Sequence, residues 1–312
     1  MKRIGVDVGG TGIQMGVVDD AGKILSKESI PTQISLPVEE QVAQIADCAV
    51  RTAAAAGLKP QEIDFIGFGI PGIAAPDGTV IKCTNMNWHY IPLAELFRKH
   101  LNVRIAIDND ANVAALAESV AGVSKGSSSS VFITIGTGIG SGIIINGRIW
   151  SGAHGIGGEL GHTILSLDGD LCTCGNRGCL ERYCSANALI RIAREAVAKK
   201  PDTLILSAAG GKPENINARI VIDAARENDP LAVSLYARYI SYLGQAIANV
   251  VNFLDPEIIV LGGGVSKAGA FLLDALRKEY VRYILYKDQP LPPLELAVLG
   301  PDAGIIGAAM LA

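Results

Sequence analysis

The chain has 312 residues, 49% of them hydrophobic and 19% charged, with a formal net charge of −4. That much apolar material supplies a core for a chain long enough for two domains, and it argues against disorder. A mildly acidic balance with no concentrated run of Lys or Arg argues against nucleic acid or an anionic membrane as the main partner and favours a small molecule.

Met1, Lys2 and Arg3 lead straight into a strand-like run, with no signal-peptide pattern and no room for a helix-turn-helix, so a cytoplasmic protein is expected. Residues 4–25 read as an apolar strand, a turn at Gly9, Gly10 and Thr11, a second strand at 15–18 and an Asp-Asp-Ala-Gly hairpin. Cys48 falls in an alanine-rich helical pattern and reads as core packing. The segment IDFIGFGI predicts a strand, followed by a helix near 91–100 and the strand VRIAID. Residues 126–147 carry no charge, yet Gly, Ser and Thr fill the segment in place of long apolar side chains, so two short strands around a glycine turn account for it better than a membrane span.

Residues 130–150 repeat the opening pattern: a strand VFITI, a turn at Gly136, Thr137 and Gly138, a second strand, and an Asn146-Gly147 hairpin. The chain therefore reads as an internally duplicated α/β protein whose two halves enclose a cleft. Glycine turns after the first strand of each half present backbone N–H groups to phosphates, and threonine hydroxyls add donors. No G-x-x-x-x-G-K-[ST] segment occurs, which excludes a Walker-type phosphate loop.

Residues 157–181, GGELGHTILSLDGDLCTCGNRGCLE, place one histidine near three cysteines. His162, Cys172, Cys174 and Cys179 supply one imidazole and three thiolates, the donor set of a closed structural zinc site. Disulfides or buried free cysteines are the weaker readings. Cys172 and Cys174 stand one residue apart, and Gly175 and Gly178 let the backbone fold tightly around an ion. Cys83 and Cys184 show no ligand spacing and are expected to be small, partly buried side chains. His89 and His100 are expected at the surface, and His154 in a loop or a pocket wall.

DVGGT at 7–11, DNDAN at 108–112, GTGIGSG, GGELGH, CTCGNRGCLE and LGGGVS together resemble the ROK family of sugar kinases and sugar-responsive repressors, over essentially the whole chain. The resemblance implies the duplicated fold of actin, hexokinase and the heat-shock ATPases, with a small lobe at 1–117 plus 300–312 and a large lobe at 118–299 that carries the zinc loop. It implies an ATP-dependent kinase using Mg²⁺ that phosphorylates the 6-hydroxyl of a hexose. Glucose is the leading substrate, with N-acetylmannosamine, N-acetylglucosamine or allose as alternatives, and a homodimer is expected. A sugar-binding transcriptional regulator lacking its DNA-binding domain and an ATPase acting on a protein partner are the readings from other classes.

By the same resemblance Asp110 is the base that accepts the hydroxyl proton; the alternative is that it caps the helix that follows. Asp108 is the better candidate for a structural carboxylate. Glu159, His162 and Glu181 match positions that hold sugar hydroxyls, so that the zinc would brace the sugar pocket. Asn85, Asn109 and Gly72 complete the sugar contacts. Where the family often has glycine before the tryptophan, this chain has Asn87 before Trp88. Gly9, Gly10 and Thr11 match the first phosphate turn, Thr137 and Gly138 the second, and Gly263 and Gly264 a turn near adenosine. Asp7 is expected to face the phosphates and steer Mg²⁺ through water.

Overall fold

Val, Ile and Phe dominate the short runs that open each repeat, and these form the strands. β1 (Arg3–Val8), β2 (Gly12–Val18) and β3 (Ile24–Pro31) are followed by α1 (Val38–Ala55) and β4 (Phe65–Ile70). Next come β5 (Gly72–Ala74), β6 (Val80–Cys83), β7 (Trp88–Ile91), α2 (Leu93–Arg98), β8 (Arg104–Asn109) and α3 (Asp110–Ala121). β9 (Ser129–Ile135), β10 (Ile139–Ile145) and β11 (Arg148–Ile149) precede a helical stretch of α4 (Glu181–Cys184), α5 (Ala186–Val197), α6 (Leu204–Ala208), α7 (Ala218–Arg226) and α8 (Pro230–Leu254). β12 (Ile258–Gly262), α9 (Ala270–Tyr280), β13 (Leu294–Leu296) and α10 (Ala303–Ala309) complete the chain.

This computed structural model describes residues 1–312. The chain divides into a first unit, Met1–Phe132, Gly142–Gly158 and Val298–Ala312, and a second, Ile133–Ser141 and Glu159–Ala297. No helix is long and apolar enough to cross a membrane.

The two large sheets run in the orders β3-β2-β1-β4-β8 and β11-β10-β9-β12-β13. Position for position the orders are the same, so the duplication expected from the repeated glycine turns is present in the topology. Pairing is antiparallel through the β1–β2–β3 meander and parallel from β1 to β4 and β8. The run 72–91, for which the sequence pattern named no strand, forms a third sheet, β5-β6-β7. The helix predicted near 91–100 consequently begins at Leu93, because Ile91 is still paired to Val80 in the sheet.

In the first unit the faces of the large sheet are covered differently. On one face α1 buries Val42, Ile45 and Ala49 in a cluster with Ile4, Val6, Phe68 and Trp88, and Phe68 meets Phe97 edge to face with ring centroids 5.4 Å apart. On the other face α10 lies backbone to backbone on the strands. A methyl group on Gly5 would run into the carbonyl of Ile305, and one on Gly67 into that of Ala308. Only glycine strands let a helix approach so closely.

The return of the chain to the first unit is fixed by Glu118, a buried residue of α3. One carboxylate oxygen accepts the N–H groups of Val298 and Leu299 at 3.0 Å, and the other accepts that of Val123 at 2.9 Å. Removing this acceptor leaves three partly buried backbone donors without their partner. Glu118→Ala is expected to lower the unfolding free energy by about 2–4 kcal/mol, read as an earlier midpoint in urea denaturation; an unchanged midpoint would mean that water replaces the carboxylate at no cost.

Candidate functional site

In the first unit the carboxylates follow from the sheet register. Asp7, Gly69 and Asp108 stand in one row across β1, β4 and β8. Asp7 is close against α10, where a methyl on Gly304 would lie 2.5 Å from its carboxylate. Burial, then the charge of Asp110, raise its pKa to about 6, with Lys27 opposing. Asp108 is also raised by burial, and its carboxylate is engaged locally: Oδ1 accepts from the Asn112 amide at 2.8 Å and from the Asn109 N–H at 2.7 Å. That is a structural role, as the sequence suggested.

The residue that caps α3 is Asn109. Its side-chain oxygen accepts the N–H groups of Ala111 and Asn112, and its amide nitrogen donates to the Gly72 carbonyl at 3.3 Å. One amide hydrogen of Asn109 is left over for a ligand. Asp110 is thus the first helical residue, with Oδ1 2.9 Å from the Ala111 N–H, at the helix end where the backbone dipole favours a negative charge.

Gly72 has a structural reason to be glycine: a methyl there would strike the Lys82 carbonyl on the paired strand β6. Asn85 lies in the single-turn helix Thr84–Met86 between β6 and β7 and is exposed. Asn87 ends that turn in the left-handed conformation, φ 54°. Asparagine tolerates this region better than most residues, so its replacement of the usual glycine leaves the turn intact. The Asn85 amide rests on the first glycine turn, 3.2 Å from where a Gly10 methyl would stand. That turn closes with the Gly9 N–H on the Gly12 carbonyl at 3.0 Å. Thr32, to which the sequence drew no attention, clasps it: its hydroxyl donates to the Gly9 carbonyl at 2.7 Å and its N–H to that of Thr11 at 3.3 Å.

In the second unit Glu181 repeats this relation. It opens α4, and its carboxylate accepts the Ile139 N–H at 2.9 Å and occupies the space a side chain on Gly138 would need. Thr137 is exposed beside it on the second glycine turn. Glu159 is exposed, and its carbonyl accepts the His162 N–H at 3.0 Å. Gly263 has φ +83° and packs on the Ile135 backbone, so that position needs glycine, whereas Gly264 has open space around it. Gly264 borders a pocket of about 440 Å³ whose wall includes Ile222, Val265, Arg219, Arg226 and Lys267.

The ligand atoms of His162, Cys172, Cys174 and Cys179 all lie within 4.8 Å of one another. His162 Nδ1 is 3.7 Å from Cys172 Sγ, and Cys174 Sγ is 3.6 Å from Cys179 Sγ. A tetrahedral zinc with ordinary bond lengths has S–S edges of about 3.8 Å and N–S edges of about 3.6 Å, so the donor set fits that ion. Burial, with the neighbouring thiols, pushes the Cys179 thiol up to about 12, while the Asn176 N–H lowers that of Cys174. A bound cation would offset the cost of bringing thiolates this close together. Cys83 and Cys184 are fully buried and stand outside the cluster; His89, His100 and His154 are exposed.

The model of the ROK family matches residues 3–312. A glucokinase from Thermotoga maritima is 36% identical over 100% of this chain and 97% of its own. Two solved structures superpose along the whole length. A ROK hexokinase from Thermus thermophilus has a TM-score of 0.86 at 35% identity, covering 100% of this chain and 98% of that one. A ROK family glucokinase from Streptomyces griseus, in complex with glucose and AMPPNP, has a TM-score of 0.81 at 34% identity, covering 100% and 99%. The resemblance read from the motifs is borne out, as is the actin- and hexokinase-like fold.

The raised Asp7 pKa has a stability consequence. Folding favours the protonated carboxyl, so stability falls as pH rises from about 4 to about 6, and the full penalty, roughly 3 kcal/mol, applies above that. Asp7→Asn is expected to raise the ligand-free melting temperature at pH 7.5 and to leave it nearly unchanged at pH 4. Equal shifts at both pH values would contradict the assignment.

Proposed function

The chain belongs to the ROK family, and on that premise we propose that it is an ATP-dependent glucokinase, transferring the γ-phosphoryl group of ATP to the 6-hydroxyl of glucose. The observation that carries this reading is the placement of Asp110: Asn109 takes the capping role, and Asp110 stands at the head of α3 in a chain that aligns end to end with glucokinases.

In this account the 6-oxygen of the sugar attacks the γ-phosphorus while its proton passes to the Asp110 carboxylate, a contribution of about 10²- to 10⁴-fold in rate. The bond from the γ-phosphorus to the β,γ-bridging oxygen breaks, and its electron pair leaves on ADP. Asn85, Asn109, Glu159, His162 and Glu181 hold sugar hydroxyls. Gly9, Gly10 and Thr11 with Thr137 and Gly138 donate to the phosphates, and Gly263 and Gly264 approach the adenosine, for which the neighbouring pocket has room. Asp7 would hold Mg²⁺ through water; the ion, when bound, would neutralise phosphate charge, and the paired acidic residues Asp7 and Asp110 suit a cation.

The Cys₃His cluster is read as a structural zinc site in which His162 gives Nδ1 to the ion and keeps Nε2 for the sugar. With Glu159 and Glu181 close to these ligands in sequence, the ion would fix the direction of both carboxylates.

Asp110→Asn is expected to lower kcat by at least about 100-fold while glucose binding, followed by calorimetry, changes less than about threefold; a variant with near-parent turnover would remove Asp110 as the base. Cys174→Ser is expected to lose the bound zinc seen by elemental analysis and to raise the KM for glucose more than that for ATP. Parent protein purified without any zinc would contradict the metal assignment.

A further inference from the structure

A buried amide in the first unit joins two parts of the proposed site. Gln41, on α1, is 5% exposed in an otherwise apolar cluster, and both ends of its side chain are committed. Oε1 accepts the indole N–H of the fully buried Trp88 at 2.8 Å, and Nε2 donates to the Leu36 carbonyl at 2.7 Å. Burying an amide among Val42, Ile45 and Trp88 is costly unless both bonds are made, so its two partners are held in fixed relation.

Each partner leads to a different binding element. Trp88 pairs with Cys83 across β6 and β7, and between these two residues lies the turn that presents Asn85. The position of the indole therefore sets how that turn sits. On the other side, Leu36 closes the segment that begins at Thr32, whose side chain and N–H hold the carbonyls of Gly9 and Thr11. The Asn85 amide and the glycine turn are themselves in contact at Gly10. One side chain thus braces a sugar-reading turn and a phosphate turn from behind.

We propose that Gln41 is a positioning residue that sets the Asn85 turn through Trp88 and the first phosphate turn through Leu36 and Thr32; this rests on the kinase reading given above. Neither arm touches a reacting atom. Misplacing Asn85 weakens ground state and transition state alike, so the effect falls on KM and not on kcat. The loss of one such bond corresponds to about a 3- to 10-fold change.

The two arms are separable. Trp88→Phe removes the indole donor and leaves the Leu36 bond, whereas Gln41→Met keeps the buried volume and removes both. Steady-state kinetics of the parent, the two variants and the double variant, with melting temperatures alongside, provide the test. Trp88→Phe is expected to raise the KM for glucose about 3- to 10-fold and to leave the KM for ATP within about twofold. Gln41→Met is expected to raise both, with kcat in each case within about threefold of the parent. In the double variant the orphaned indole donor of Gln41→Met and the orphaned amide oxygen of Trp88→Phe are both gone and only the Leu36 carbonyl stays unpaired, so the melting temperature rises above that of Gln41→Met while the KM for glucose stays high. KM values that stay at parent level, or that follow the melting temperature back in the double variant, would overturn the proposal. If Gln41→Met folds poorly, Trp88→Phe alone decides the sugar arm. A parent that phosphorylates another hexose fails the glucose reading, and the same comparison with that hexose then decides the role of Gln41; a parent that phosphorylates none overturns both.

Discussion

The closest constraint in the first unit is the seating of α10 on bare strand backbone. Gly5 and Gly67 let the carbonyls of Ile305 and Ala308 reach the sheet, and a methyl on Gly307 would strike the Val113 carbonyl of α3. Close packing of this kind makes a rigid three-way joint of β1, α3 and the C-terminal helix. The acidic residues depend on that joint. Asp7 is the next-to-last residue of β1, under Gly304, and Asp110 opens α3, so their separation is set by how deeply the helix seats. Burial there raises the Asp7 pKa. Glu118, two turns along α3, ties the returning chain to the same joint.

Duplication has left a second regularity. In the first unit Asn85 rests on Gly10, and in the second Glu181 rests on Gly138. The side chains come from unrelated local structures, one from a turn between short strands and the other from the helix that follows the cysteines. Each still fills the space that a glycine leaves open at a turn of the kind that binds phosphates. A residue proposed to hold a sugar hydroxyl is therefore in contact with the loop proposed to hold phosphate, within each unit separately. On those proposed roles, binding energy from the sugar would serve to order the phosphate turn.

Much of this was legible in the sequence because it rests on local pattern. The repeated strand, glycine turn and strand gave the duplication, and both hairpins appear where Asp-Asp-Ala-Gly and Asn-Gly placed them. Three cysteines and a histidine within a short loop brought four ligand atoms together, as their spacing required. What was illegible depends on contacts distant in sequence. The strands of the third sheet are three or four residues long, too short to show a period. Gln41 is one polar residue in an amphipathic helix, and only its burial against Trp88 separates it from a solvated one. Thr32 and Glu118 act on the backbone of segments 23 and 180 residues away. The clash of a Gly72 side chain with the Lys82 carbonyl likewise depends on a strand pairing that the sequence did not show.

The central claim is that this constellation moves phosphate from ATP to a sugar, and the direct measurement is ADP release with ATP and Mg²⁺ across glucose, mannose, fructose, allose and the N-acetylhexosamines, with a sugar-free control. The account predicts turnover that is strongest with glucose and negligible without sugar. ADP release that is the same with and without every sugar would contradict it, and would make the chain an ATPase on the same fold.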